Sequence, residues 1–150
     1  MKIRLLFRGV AMATVGLAAA VHADTPPVPS PTPSLPQALG CPNSPNCVNS
    51  LGVGDLSPLA YTGSAADGMA RLRATLSTFS DAKVERADEV SLTAIFTTRL
   101  GFRDEVVFLI DPSTQRIHFR SRSLVGYYDF GKNRSRMQEV GERFAITAQP

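Results

Sequence analysis

Apolar periodicity begins at Ala65. Ala65, Met69, Leu72, Leu76 and Phe79 recur at spacings of four, three, four and three, which places them on one stripe of an α-helix. Ser64 followed by Asp67 forms a capping-box-like start, and Arg71 and Arg73 fall off the stripe. The period then shortens to two. Val90, Leu92, Ala94 and Phe96 alternate with Ser91, Thr93, Ile95 and Thr97, the pattern of a half-buried strand. Lys83 to Ala87 is a weaker strand candidate before it, and Asp88-Glu89 a turn. Leu100-Gly101-Phe102 breaks the alternation. Val106 to Ile110 is uninterruptedly apolar, Asp111-Pro112-Ser113 turns the chain, and Arg116 to Ser123 alternates again. A second helix starts near Asp129 or Gly131, with Asn133, Met137, Val140 and Phe144 on one face and Asp129 as its N-cap.

Helix, four strands and helix predict an α+β fold: a two-layer sandwich in which an antiparallel four-stranded meander carries two helices packed on one face. A sheet covered on one face should alternate throughout, and Val106–Ile110 does not. Either that strand is central and covered on both faces, or its second apolar side, with Ile95, lines a ligand site.

Upstream of Ser64 the pattern is of a different kind. Lys2, Arg4 and Arg8 precede an uncharged run from Gly9 to Val21, and Val21-His22-Ala23 offers a cleavage site. This is the three-part pattern of a secretory signal peptide over residues 1–23; the run is short for a membrane-spanning anchor, the competing reading. Residues 24–40 carry Pro26, Pro27, Pro29, Pro31, Pro33 and Pro36 among Ser and Thr, a composition expected of a disordered linker. Residues 41–150 are then a single globular domain, opening on an irregular, turn-rich segment from Cys41 to Gly54. Cys41 is too far from the apolar run to be a lipoprotein cysteine.

Cleavage changes the charge picture. The chain is +3, with 16 basic and 13 acidic residues; without Lys2, Arg4 and Arg8 it has 13 of each. The mature protein is near neutral, so the high pI is no sign of nucleic-acid binding. No stable transmembrane segment remains after cleavage, and the expected location is periplasmic or secreted.

In an oxidising compartment Cys41 and Cys47 are expected to pair as a disulfide that pins the irregular segment. A thiolate metal site would need further ligands, and His118 is the sole histidine after cleavage; no metal or other cofactor is expected. On the 116–123 strand, Ile117 and Phe119 point one way, while Arg116, His118, Arg120 and Arg122 form a cationic row on the other. Such a row is either a solvated face paired with acids on neighbouring strands or a site for phosphate, carboxylate or a lipid headgroup, helped by the helix N-terminus near Gly131. Gly126 to Gly131, with Tyr127, Tyr128 and Phe130, is an adaptable loop able to approach a ligand.

There is no nucleophile elbow, phosphate loop or dinucleotide fingerprint. His118, flanked by arginines, is poorly placed to carry a positive imidazolium.

Two segments, CPNSPNCVNS at Cys41–Ser50 and FRSRSLVGYYDFGKNRSRM at Phe119–Met137, resemble the domain-of-unknown-function family 1499. The matching positions are Cys41, Ser44, Pro45, Asn46, Cys47, Arg120, Ser121, Ser123, Gly126, Asp129, Gly131, Asn133 and Arg134; Leu124 and Tyr128 stand where more polar residues are expected. The resemblance implies a small envelope- or organelle-associated domain and supplies no activity. The disulfide segment is expected to pack near the Arg120–Arg134 region, since both are otherwise irregular and polar.

The expected function is a non-catalytic binding or scaffolding module for a small anionic or lipid-like envelope ligand or a protein partner. Its site would use Arg120, Arg122, Ser123, Tyr127, Asp129, Asn133 and Arg134. The alternative is a hydrolase-like envelope enzyme using Asp129 with Ser121, Ser123, Tyr127 or His118.

Overall fold

The computed structural model describes residues 34–147. The signal peptide read in residues 1–23 and most of the proline-rich segment lie outside the described residues. Folded chain begins earlier than the expected boundary at Cys41. Leu35–Leu39 is a short helix, α1, with Pro36 in its first turn, where a missing backbone N–H costs nothing. Leu39 is fully buried. Its carbonyl accepts from Asn49 Nδ2 (2.9 Å), and the Gly40 carbonyl accepts from Arg120 Nη1 (3.3 Å), so the end of the linker is tied to the sheet.

The remaining elements are β1 (Cys47–Asn49), β2 (Leu59–Ala60), α2 (Ala65–Leu76), β3 (Ala82–Ala87), β4 (Ser91–Thr97), β5 (Arg103–Asp111), β6 (Arg116–Ser123) and α3 (Lys132–Ile146). The fold is α+β, but the sheet has six strands rather than four, ordered β1-β6-β5-β4-β3 with β2 also on β6. All pairings are antiparallel. β6 is long enough for two short strands to share its outer edge: β1 pairs Arg120–Arg122 and β2 pairs Arg116–Ile117. Between them, Phe119 exchanges bonds with Ser50, whose backbone N–H donates to the Phe119 carbonyl while its hydroxyl accepts from the Phe119 N–H (both 3.0 Å). Strands of three and two residues carry no periodicity to read, which is why both escape the pattern.

Register puts Leu92, Ala94, Phe96, Val106, Phe108, Ile110, Ile117 and Phe119 on one face of the sheet. They share one core with Met69, Leu72 and Leu76 of α2, Phe79 just beyond it, and Met137, Val140 and Phe144 of α3. α2 opens with the expected capping box: Ser64 Oγ accepts from the Asp67 N–H (3.2 Å), and Asp67 Oδ2 accepts from the Ser64 N–H (2.8 Å). Gly68 stands inside α2 because a Cβ there would lie 2.9 Å from the Tyr61 ring.

β5 is central, as its apolar run suggested, yet its second face is only half covered. Val107 and Leu109 are half-buried beside their cross-strand neighbours Arg120 and His118, whose aliphatic and ring portions shield them. That outer face is also where Asn49 and Arg120, a cross-strand pair, reach the backbone at the end of α1. α1 is thus a third helix beyond the two expected, and its end is tied to the face opposite the one that α2 and α3 cover.

Cys41 and Cys47 form the expected disulfide, with Cα atoms 5.7 Å apart. It anchors the segment before β1 to an edge strand of only three residues. The double substitution Cys41→Ala/Cys47→Ala is expected to cost about 2 kcal/mol, the loop-closure value for so short a span, read from urea unfolding with and without reductant.

Asp111 closes the β5–β6 turn. Its carboxylate accepts from the hydroxyls of Ser113 (2.6 Å) and Thr114 (2.7 Å) and from the Ser113 N–H (2.9 Å). These bonds, the Ser113 hydroxyl first, hold its pKa down to about 2 from 3.8. A folded pKa below the unfolded one adds stability above the unfolded value and loses it as pH falls toward the folded one. Thermal unfolding between pH 4 and pH 2 should therefore drop more steeply in the wild type than in Asp111→Asn.

Candidate ligand-binding end of the sheet

At one end of the sheet β4 finishes, β5 starts and β6 finishes. Register aligns Phe96 with Asp104 and Asp104 with Ser123 there. Asp104 lies on the core side and is buried, and so is Arg136, which descends from α3 to meet it in a buried ion pair. The guanidinium also sits 4.9 Å from the centre of the Phe96 ring and donates to Asn133 Oδ1 (2.9 Å).

Asn133 is wholly buried and uses its whole amide. Nδ2 donates to the Asn46 carbonyl (3.0 Å) and to Ser123 Oγ (3.1 Å), and Oδ1 accepts from Ser121 Oγ (2.6 Å) as well as from Arg136. Asn46 in turn donates from Nδ2 to the Gly126 carbonyl and accepts from Ser44 Oγ (2.7 Å), while its own carbonyl also takes the Ser123 N–H (3.0 Å). The disulfide segment and the β6–α3 segment thus meet through two asparagines.

Asp129 stands two residues before the helix N-cap position, Gly131. Its carboxylate accepts from the N–H groups of Gly131 (3.1 Å) and Asn133 (2.7 Å). The donors expected to serve an anionic ligand at the start of α3 are therefore already occupied by a carboxylate of the chain itself. Phe130 (φ 53°) and Gly131 (φ 75°) are both left-handed. Glycine adopts this region freely, whereas for phenylalanine it is strained.

The Thr98–Phe102 loop faces the 124–131 loop across a cavity of about 420 Å³. Leu100, Phe102, Val125, Tyr128 and Phe130 give it an apolar lining, and Asp104, Ser123, Asp129 and Lys132 add polar atoms. A second, more polar hollow of about 600 Å³ shares Thr98, Leu100 and Lys132 with the first and continues to Arg99, Asp81, Glu139 and Arg143. The Asp104–Arg136 pair stands between them, the acid lining one and the base the other. Among the described residues, Arg99 and Lys132 take part in no ion pair, while Arg143 bonds Glu139 and the Thr78 carbonyl.

The family model described as "Protein of unknown function (DUF1499)" matches residues 39–144. The chain belongs to this family. The match opens at Leu39, the buried last residue of α1, and spans the whole sheet, α2 and α3 as far as Phe144. No curated protein matches the sequence.

This DUF1499 domain divides the residues expected to form one site. Ser123 and Asp129 line the apolar cavity, and Asn133 lies beneath it in the buried network. Tyr127 packs edge-on against Tyr128 (4.9 Å) and, with it, borders a shallower hollow by Cys41–Pro45. Arg134 is exposed on the first turn of α3. Arg120 and Arg122 are on the other side of the sheet, where both bond Glu105 Oε1 at 3.0 Å, and Arg116 pairs in register with Asp111. The cationic row exists, but acids on β5 oppose it.

The parts of the hydrolase alternative are also separated. The nearest partner of His118 is Ser50 (Oγ to Nδ1, 3.3 Å), and along the strand His118 is about 17 Å from Ser123. Ser121 donates to Asn133 and not to Asp129. With both cysteines in the disulfide, a Cys/Cys/His metal site is excluded.

Arg99, Leu100, Phe102, Asp104, Val125, Lys132 and Arg136 are residues of this end that pattern reading does not assign to the site. The break at Leu100-Gly101-Phe102, two large apolar residues in a turn, was the available signal.

Removing one member of a buried ion pair strands the other. Asp104→Ala is expected to lose roughly 3–5 kcal/mol in denaturant unfolding, whereas Asp104→Leu/Arg136→Met should recover most of it, because the double change leaves no unpaired charge.

Proposed function

We propose that this DUF1499 domain is an exported, non-catalytic binding module that takes an amphiphile, an apolar chain or ring bearing an anionic group. The observation that carries it is the cavity between the 98–102 and 124–131 loops. Its walls are large apolar side chains, its rim holds Lys132, and the adjoining hollow holds Arg99. Apolar walls with a few placed polar groups are the usual make-up of small-molecule sites. The cations of the proposed site are Lys132 and Arg99, with Arg134 nearby on α3. Arg120 and Arg122 have an acid of their own and are left outside it. Ser123 and Asp129 supply polar atoms in the wall, and Tyr127 flanks the loop.

An extracytoplasmic location agrees with the disulfide. No helix among the described residues is long and apolar enough to cross a membrane.

Dodecyl phosphate, kept below its micelle concentration, is a suitable probe in isothermal titration. The wild type should bind it. Lys132→Glu and Phe102→Ser should each weaken binding roughly tenfold, a loss of about 1.4 kcal/mol, with unchanged melting temperature, since both side chains are exposed. Arg120→Ala should leave affinity unchanged. Absence of binding, or equal binding by all variants, refutes the site.

A further inference from the structure

Eleven large hydrophobic residues are exposed among the described residues, and seven of them lie in the two loops that flank the cavity: Leu100, Phe102, Leu124, Val125, Tyr127, Tyr128 and Phe130. Scattered exposed hydrophobics need no explanation, but a cluster marks an interaction surface. Phe130 is 99% exposed and Leu100 84%, so neither side chain serves the domain's own core. Phe130 has a left-handed backbone (φ 53°) and stands between Asp129 and Gly131, whose N–H, like that of Asn133, donates to the Asp129 carboxylate. Strain in a bulky residue persists only where its surroundings enforce it.

The charges around these tips are uneven. Arg99, Lys132 and Arg134 lie on or beside the two loops and are in no ion pair among the described residues. The neighbouring acids are engaged: Asp104 bonds Arg136, and Asp129 bonds the backbone at the start of α3. Glu139, in the adjoining hollow, pairs with Arg143, and Asp81 lies there too. A domain with balanced charge overall therefore turns apolar tips interleaved with cations outward at one end.

We propose that this end docks on an anionic lipid surface, with Phe130 and Leu100 entering the acyl boundary and Arg99, Lys132 and Arg134 meeting the headgroups. Separate projecting tips do not demand a partner of matched shape, as a protein interface does. A lipid surface accepts them as they stand and supplies the complementary charge. The tyrosine pair suits the boundary, with ring inward and hydroxyl toward water. Docking would also bring the mouth of the proposed amphiphile site to the source of amphiphiles. It deepens that reading and rests on the same loops.

The chain contains no tryptophan, so Phe130→Trp in the full chain places a single indole at the tip. Its emission reports this loop whatever the N-terminal segment does. With vesicles of phosphatidylglycerol and phosphatidylcholine, the indole emission should shift to the blue and be quenched by bromine-labelled acyl chains. Both responses should be lost with phosphatidylcholine alone and greatly reduced in 1 M salt, where screening acts over about 3 Å. Adding Arg99→Glu and Lys132→Glu should abolish them while circular dichroism stays unchanged. A folded protein whose indole ignores anionic vesicles overturns the proposal, and so does an indole that responds to a protein partner but not to vesicles. If dodecyl phosphate binds yet vesicles give no response, the cavity reading stands and the docking surface falls.

Discussion

Asn133 and the charged pair below it hold together the end of the domain that carries the candidate site. One buried side-chain amide joins the disulfide segment at Asn46, the last residues of β6 at Ser121 and Ser123, and the guanidinium of Arg136, which meets Asp104 of β5. In a low-dielectric interior such a network is stable only when every member is satisfied. Here each polar group finds a partner in a different segment, so loosening one segment strands groups in the others. The loops around the cavity depend on it because both are rooted there: Asp104 follows the 98–102 loop, and Asn46 bonds Gly126 within the other.

The same strand explains why two chemically different surfaces coexist. β6 sends Ile117, Phe119 and Ser121 into the core layer and Arg116, His118, Arg120 and Arg122 to the outer face. Antiparallel pairing sets Glu105 beside Arg122, within reach of Arg120 as well, and Asp111 beside Arg116. On the outer face Glu105 thereby holds both Arg120 and Arg122, and the end of α1 closes that face off near β1. The strand end, by contrast, opens into loops whose acids are consumed by Arg136 and by the start of α3, leaving cations and apolar side chains turned outward. Charge compensation in one place and its absence in the other makes the loop end the better candidate for a ligand or surface.

Much of the architecture was legible beforehand. The helical stripe from Ala65, the capping box at Ser64 and Asp67, the alternating strands and the second helix with Asn133, Met137, Val140 and Phe144 inward all follow from local periodicity and local hydrogen bonding. The cysteine pairing follows from the short spacing and the expected oxidising compartment. The candidate site was legible only in fragments. Ser123, Asp129 and Asn133 stand out in the sequence, but together with Arg120 and Arg122, which lie on the other side of the sheet. Alternation along β6 already separated odd from even positions, yet it could not say which acids waited on β5.

The sequence by itself determined the periodic elements, the disulfide and the family, because each depends on residues close in the chain or on a motif that survives as a string. Only the tertiary structure decided that α1 belongs to the fold, that β1 and β2 share the edge of β6, that Asp104 is the partner of Arg136, and that Leu100 and Phe102 face Val125, Tyr128 and Phe130 across one cavity. Those relations join residues tens of positions apart. They come into being when packing fixes register and sheet order, and no local pattern carries them.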